Sequence, residues 1–109
     1  MRSKIGTLAF AAPEVYSGSP YSEKVDIWGA GTVLFYMLSG SFPFKNEDND
    51  CLSKEIREGK FAFEGPEWKN ISKSAKEFIR QLITVDPIKR YSAEDALRDM
   101  WLVDDEDFF

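Results

Sequence analysis

The stretch VDIWGAGTVLFYMLSG, residues 25–40, decides the fold. Its apolar residues point to every side of a helical wheel, and a helix that is apolar all round belongs in a core. The run stops at Ser39-Gly40, a typical helix end, so a strand is the weaker interpretation. Asp26 is its only acidic residue. Because a carboxylate inside a core must be hydrogen-bonded or paired, we expect Asp26 to be buried with a partner.

The residues around this stretch predict shorter helices joined by ordered loops. Pro13 opens a short helix, and Ser22 is the expected N-cap of the long one. Leu52 and Ile56, four residues apart with charged residues between them, then predict a short amphipathic helix over about residues 50–58, which Gly59 ends. Residues 61–63, Phe-Ala-Phe, alternate large and small side chains, but Gly65-Pro66 follows at once, which indicates an extended loop rather than a strand.

The second half of the chain predicts two more helices. Ser72 or Ser74 caps the first of them, whose apolar residues recur at helical spacing up to Ile83. Ser92 opens the last helix. Because Asp95, rather than Glu or Gln, stands three residues later, we expect an ordinary N-cap and no capping box. The sequence therefore predicts an all-α fold of four main helices.

Size and composition exclude several classes of protein. The chain has 109 residues, 43% of them hydrophobic, which suits one domain with a core. It has no histidine and one cysteine, so an internal disulfide, a Cys/His zinc site and a His-based catalytic triad are excluded. A net charge of -5 argues against nucleic acid. No apolar run approaches the roughly 20 residues of a membrane helix, and the N-terminus does not resemble a signal peptide. We expect a cytoplasmic protein with no membrane, nucleic-acid or metal site.

No catalytic constellation emerges from the residues alone. Gly29 and Gly31 lie inside the apolar helix, so they favour close packing rather than phosphate binding. Cys51 follows Asp50 and lies near Glu47 and Asp48, and reactive thiols are activated by positive neighbours, so a reactive cysteine is not expected.

Four short motifs together carry a resemblance to a known family. GTLAFAAPE (residues 6–14) ends in Ala-Pro-Glu, DIWGAG (26–31) fits Asp-x-Trp-x-x-Gly, DPIKR (86–90) precedes the last helix, and DMWL (99–102) keeps only the Trp of a closing His-Pro-Trp. In this order they resemble the eukaryotic Ser/Thr protein kinases. Residues 61–79 are most similar to the calcium/calmodulin-dependent and calcium-dependent kinases.

The resemblance implies a partial protein-kinase C-lobe, formed by the end of the activation segment and the family's helices F to I. Residues 1–16 would be the end of the activation segment with its P+1 loop. Residues 17–102 would be the helical subdomain, and residues 103–109 an acidic tail.

The resemblance also assigns structural roles. It implies an ion pair between Glu14 and Arg90; the alternative is two unrelated surface charges. Asp26 would accept backbone N–H groups of a catalytic loop, or would only favour the helix dipole. The structural motif residues are Ala12, Pro13, Glu14, Asp26, Trp28, Gly31 and Arg90.

The substrate-facing residues implied by the resemblance lie near the N-terminus. They form the wall that receives the residue after the phosphoacceptor: Gly6, Thr7, Leu8, Ala9 and Phe10. Thr7 would also contact the catalytic aspartate, or make a local turn. Ser3 stands near the spacing of an activating phosphate; the alternative is an unmodified serine near a chain end.

The groups that transfer phosphate are not in this sequence, which lacks His-Arg-Asp, Asp-Phe-Gly and Val-Ala-x-Lys. We therefore expect no cofactor in this chain, no activity of the chain alone, and ATP and Mg²⁺ only in the intact kinase. The expected partners are the rest of the kinase domain and protein or peptide substrates, basic ones being favoured by the acidic surface. The alternative is a non-catalytic binding module. Because the long helix would lack its neighbours, we also expect self-association or marginal stability.

Overall fold

The computed structural model describes residues 11–18 and 20–99, with the side chains of residues 16 and 17 left aside. This part of the chain contains helices and no strands, so the all-α prediction is confirmed. The helices are α1 (Pro13–Ser17), α2 (Lys24–Ser39), α3 (Asn49–Glu58), a 3₁₀ helix (Pro66–Trp68), α4 (Lys73–Leu82) and α5 (Ala93–Arg98). None of the described helices is both long and apolar enough to cross a membrane.

One side of α2 builds the core and the opposite side is uncovered. Trp28, Gly31, Thr32 and Phe35 are buried. Positions 26, 30, 33 and 37 follow i, i+4, i+7, i+11 spacing and are all exposed, Met37 by 72%. The expectation that α2 is buried all round is therefore wrong for the described part of the chain, because nothing there packs on this side.

Asp26 lies on that uncovered side, in the first turn of α2. The prediction that its carboxylate is buried is wrong, since the side chain is exposed. Its position at the positive end of the helix dipole is the alternative that the sequence left open.

The helix starts are set by short polar side chains. Asp48 accepts hydrogen bonds from the N–H groups of Asp50 and Cys51, and Ser72 caps α4 through Ala75 N–H. At α5 the Ser92 hydroxyl and the Asp95 carboxylate each accept a backbone N–H of the other residue, so a capping box is present and the prediction of an ordinary cap is wrong. An aspartate is long enough to close this box.

The start of α2 also differs from the prediction. Ser22 was expected as the N-cap, but Glu23 occupies that position and makes no side-chain cap. The Ser22 hydroxyl nevertheless accepts the Lys24 N–H at 3.2 Å, two residues further on, which is a bond that N-cap side chains also make. Ser22 therefore supports the first turn without being the cap.

Aromatic rings fill the space beside α2. Phe35 contacts Phe61, Phe63 and Trp68, with ring centroids 4.7–6.0 Å apart. Residues 61–63 form neither helix nor strand, as predicted, and they supply two of these rings. The 3₁₀ helix that delivers Trp68 was not predicted; it begins at Pro66, after Gly65 with a φ of 106°.

Helices α2 and α4 pack closely at Gly31. A Cβ atom at this position would lie 2.8 Å from Ile83 Cγ1 and from Leu82 Cβ. The predicted close packing at this glycine is therefore present, against side chains rather than a backbone.

Candidate functional site

Helix α1 is short, with Ala12 as its N-cap and Pro13 and Glu14 as its first two residues. Ala12 is extended (φ -70°, ψ 157°), and Pro13 opens the helix without needing its missing N–H. Ala12 and Pro13 are both buried. This start of α1 places the Glu14 carboxylate against the loop that joins α4 to α5.

Hydrogen bonds to Asp86 hold that loop in its fold. The Asp86 carboxylate accepts Ile88 N–H at 2.9 Å, and its carbonyl accepts the N–H groups of Lys89 and Arg90 at 3.0 Å. The next residue, Tyr91, donates its N–H to Gln81 in α4. The Asp-Pro-x-x-Arg spacing therefore forms a tight turn, which directs Arg90 back under α1.

Arg90 uses all five of its N–H donors. Nη1 and Nη2 bind the two Glu14 carboxylate oxygens at 2.8 and 2.9 Å, which is a bidentate ion pair. The remaining donors reach the carbonyls of Thr84 at 2.8 Å, Lys24 at 2.8 Å and Val85 at 3.2 Å. The guanidinium is 1% exposed, so these bonds form away from water. The predicted Glu14–Arg90 ion pair is present.

An aromatic face covers the guanidinium. The Cζ atom of Arg90 lies 5.1 Å from the centroid of the Trp28 ring, within cation–π range. Trp28 stacks in turn on Phe44, with centroids 5.7 Å apart and planes 8° from parallel. Both rings are fully buried, and Trp28 Nε1 has no acceptor among the described residues. Trp28 thus ties the ion pair to the core.

The ion pair also decides the protonation of Glu14. Burial alone would raise the pKa of this carboxyl, but the hydrogen bond from Arg90, the bond from its own backbone N–H and the Arg90 charge together outweigh it. The net effect is a pKa below the ordinary glutamate value, so Glu14 is charged at neutral pH.

The structure joins five of the predicted motif residues in one network and separates the other two. Ala12, Pro13, Glu14, Trp28 and Arg90 come together from three segments of the chain. Gly31 serves the contact with α4 instead, and Asp26 points away. The predicted Gly6–Phe10 wall, Ser3 and Trp101 lie outside the described residues.

Two members of this network were missed by the sequence analysis. Phe44 follows Pro43 in an aromatic loop, and only its aromatic character signals a core residue. Lys24 donates to carbonyls of the 86–90 turn, 63 and 66 residues away in sequence, and no local pattern indicates such a contact.

A second feature is a cavity of about 590 Å³ between the end of α2, α3 and residues 60–68. Its floor is aromatic and includes Phe35, Phe61 and Trp68, and its rim carries Glu64 and Glu67. The rim also carries Lys45 and Lys60, so it is not uniformly acidic. No group of three His, Cys, Asp or Glu side chains in the described part of the chain is arranged to hold a metal ion.

A buried Ala-Pro-Glu segment is joined to an Asp-Pro-x-x-Arg turn by an ion pair that packs on the tryptophan of α2. Together these features define the helical lobe of a protein kinase. The sequence model of the protein kinase domain matches residues 1–102. The chain belongs to the protein kinase family, as the resemblance implied.

The curated relatives that the chain resembles are named as Ser/Thr or calcium/calmodulin-dependent kinases. Serine/threonine-protein kinase H1 homolog of Danio rerio is 39% identical over 103 residues, 94% of this chain and 24% of the relative. Ovarian-specific serine/threonine-protein kinase Lok of Drosophila melanogaster is 43% identical over 107 residues, 95% of this chain and 22% of the relative. Calcium/calmodulin-dependent protein kinase type 1 of Macrobrachium nipponense is 42% identical over 102 residues, which are 94% of this chain and 30% of the relative. The chain spans about a quarter of the length of the H1 kinases it matches.

Proposed function

We propose that this chain acts as the C-terminal part of the catalytic domain of a Ser/Thr protein kinase. The intact protein would transfer the γ-phosphoryl group of ATP to a Ser or Thr hydroxyl of a protein. The observation that carries the proposal is the bidentate Glu14–Arg90 pair. It fixes the segment that ends in α1 to the helical core, in a chain that matches the kinase domain model over residues 1–102.

The role of the chain in this reaction is to position the substrate. In the sequence, residues 6–10 come just before the Ala12-Pro13-Glu14 segment, which the ion pair anchors. Gly6, Thr7, Leu8, Ala9 and Phe10 would then form the wall that receives the substrate residue after the phosphoacceptor. A phosphate on Ser3 would add about -1.5 to -2 charges to the same stretch.

ATP and Mg²⁺ would be bound by the remainder of the kinase. This chain contains neither the Asp-Phe-Gly aspartate nor a catalytic-loop His-Arg-Asp, and its described residues provide no cluster of metal-ligating side chains. The residues of this chain therefore do not form a site for ATP or for Mg²⁺, and we assign no step of phosphoryl transfer to them.

The partner of the uncovered side of α2 would be that same remainder of the domain. Val33, Tyr36 and Met37 are large apolar side chains between 44% and 72% exposed, although they belong to a helix in the middle of the fold. A surface of this kind marks an interaction site or a tendency to self-associate. We propose that the chain alone self-associates through this side.

Basic peptide segments are the proposed substrates. Glu55, Glu64 and Glu67 line the aromatic cavity together with Lys45 and Lys60, so carboxylates outnumber ammonium groups there. Aromatic rings beside carboxylates suit an Arg or Lys side chain. The chain's net charge of -5 favours encounter with basic partners.

The test uses the native protein. An antibody to the exposed segment around residues 45–51 captures it from source cells, and mass spectrometry reads the peptides upstream of Met1. We expect a longer protein that carries Asp-Phe-Gly and phosphorylates Ser/Thr peptides, more strongly when they are basic. A captured 109-residue product that binds peptides without ATP-dependent transfer would establish the alternative, a non-catalytic binding module. Phosphate transfer by the purified 109-residue chain alone would also refute the proposal.

A further inference from the structure

Lys24 is the first residue of α2, where a positive charge is unfavourable because the helix dipole is already positive at that end. Its ammonium group is nevertheless held in place. Nζ donates to the Pro87 carbonyl at 2.9 Å and to the Arg90 carbonyl at 2.8 Å, both in partly buried surroundings.

The contact between Lys24 and Arg90 runs in both directions. Arg90 Nη1 donates to the Lys24 carbonyl at 2.8 Å, while Lys24 Nζ donates to the Arg90 carbonyl at 2.8 Å. The side chain of each residue therefore donates a hydrogen bond to the backbone carbonyl of the other. Two such bonds around one pair restrict the rotation of the guanidinium more than either bond alone.

The same guanidinium nitrogen serves Glu14 and Lys24. Nη1 of Arg90 binds Glu14 Oε2 and the Lys24 carbonyl, each at 2.8 Å. A displacement of the 87–90 turn relative to Lys24 would therefore move the donor that Glu14 uses. The carbonyls of Pro87 and Arg90 have no other hydrogen-bond donor in the described part of the chain.

We infer that Lys24 is a positioning residue, which grips the carbonyls of Pro87 and Arg90 and thereby holds the Arg90 guanidinium in its bidentate geometry on Glu14. Its consequence for substrate positioning rests on the proposed function. The grip itself belongs to this chain and can be measured without any kinase assay.

The experiment is a titration of the Glu14 side-chain carboxyl by carbon-13 NMR in the 109-residue chain. The variants are Lys24→Met, which keeps the apolar stem and removes the donor, and Lys24→Arg, which keeps charge and donors. Lys89→Met is the matched control, because Lys89 is an exposed lysine in the same turn and only its backbone N–H is bonded there. The amide spectrum and the protection of the Lys89 and Arg90 N–H groups report whether the turn is still folded.

We expect the Glu14 pKa to rise toward the ordinary glutamate range in Lys24→Met, with the turn amides still protected, and to stay low in Lys24→Arg and Lys89→Met. A purely structural role would lower global stability and leave the Glu14 pKa of the folded state unchanged. An unchanged pKa in folded Lys24→Met would overturn the inference. Should Lys24→Met not fold, Lys24→Gln takes its place, since it keeps a shorter, uncharged amide donor group. A Glu14 pKa between those of the wild type and free glutamate supports the inference, and an unchanged Glu14 pKa overturns it. Neither result depends on whether the intact protein is a kinase.

Discussion

Removal of the Arg90 guanidinium is the sharpest test of the ion pair that anchors α1. Arg90→Met takes away both hydrogen bonds to the Glu14 carboxylate, which is only 9% exposed, and the donors to three backbone carbonyls. Breaking a buried ion pair by removing one partner costs about 3–5 kcal/mol, because the remaining charge stays buried. A carbonyl that loses its donor adds on the order of 1 kcal/mol wherever water does not replace the bond.

This loss is large compared with the stability of a chain of this size. At roughly 0.05–0.15 kcal/mol per residue, the total lies at about 5–15 kcal/mol. A loss of about 3 kcal/mol, the lower bound, would lower Tm by at least about 12 °C, since each kcal/mol shifts a domain of this size by about 4 °C or more. Calorimetry or circular dichroism measures the shift, and urea titration measures the free energy of unfolding.

The exposed ion pair between Lys60 and Glu58 provides the matched control. Its charged atoms are 3.4 Å apart and the two side chains are 74% and 40% exposed. Such surface pairs contribute about 0–1 kcal/mol, so Lys60→Met should change Tm by a few degrees at most. If Arg90→Met were no more destabilising than Lys60→Met, the claim that the buried pair anchors α1 would be refuted.

The double variant and the pH dependence separate charge burial from packing. Replacing Glu14 and Arg90 together by Met removes the isolated charge, and proteins in which a buried pair is replaced in this way are often no less stable. Part of the stability lost in Arg90→Met should therefore be recovered.

The lowered pKa of Glu14 means that the stability it contributes is present above the unfolded glutamate pKa and is lost as pH falls through the folded pKa. Acid should therefore destabilise the wild-type chain more than Glu14→Gln.

Three further predictions concern other parts of the fold. Gly31→Ala should destabilise the chain by about 1–3 kcal/mol in urea, despite the better helix propensity of alanine, because the new Cβ would lie 2.8 Å from Ile83 Cγ1; a gain in stability would contradict the close packing. The hydrogen bond to Asp99, with burial and the Asp99 charge, raises the pKa of Tyr91 to about 12. The stability that this bond contributes is present below the ordinary tyrosine pKa and is lost as pH rises toward 12. The tyrosinate absorbance that Tyr91→Phe removes should therefore appear near pH 12. Its appearance near pH 10 would count against the bond. Met37→Lys should reduce self-association in sedimentation velocity; an unchanged distribution would assign the contact to another surface.

The periodic patterns predicted the helices well because they depend on local spacing. The apolar positions of α4, such as Phe78, Ile79 and Leu82, recur every three to four residues, and all three are buried. The Asp48 and Ser72 caps act within three residues of their own position, so a short window of sequence contains them. What failed was Asp26, since an all-apolar helix indicates burial on every side only where neighbours exist on every side.

The site was less predictable because its contacts span the chain. Glu14 and Arg90 are 76 positions apart, and two charges at that separation pair only by virtue of a fold. Their pairing was expected from the family resemblance and not from spacing. Lys24 carried no such signal, since its partners are backbone carbonyls, which every residue has.

The arrangement of α2 explains how one helix serves two purposes. Its buried side places Trp28 under the Arg90 guanidinium, and its uncovered side presents Val33 and Met37. All five donors of Arg90 have acceptors in the described part of this chain, so the anchor needs no acceptor from outside it. The uncovered side, in contrast, gains stability only from a partner. It follows that the ion pair can form in this chain alone while α2 still depends on another surface. Variants of Arg90 should therefore act on the chain by itself, and variants of Met37 only on its association.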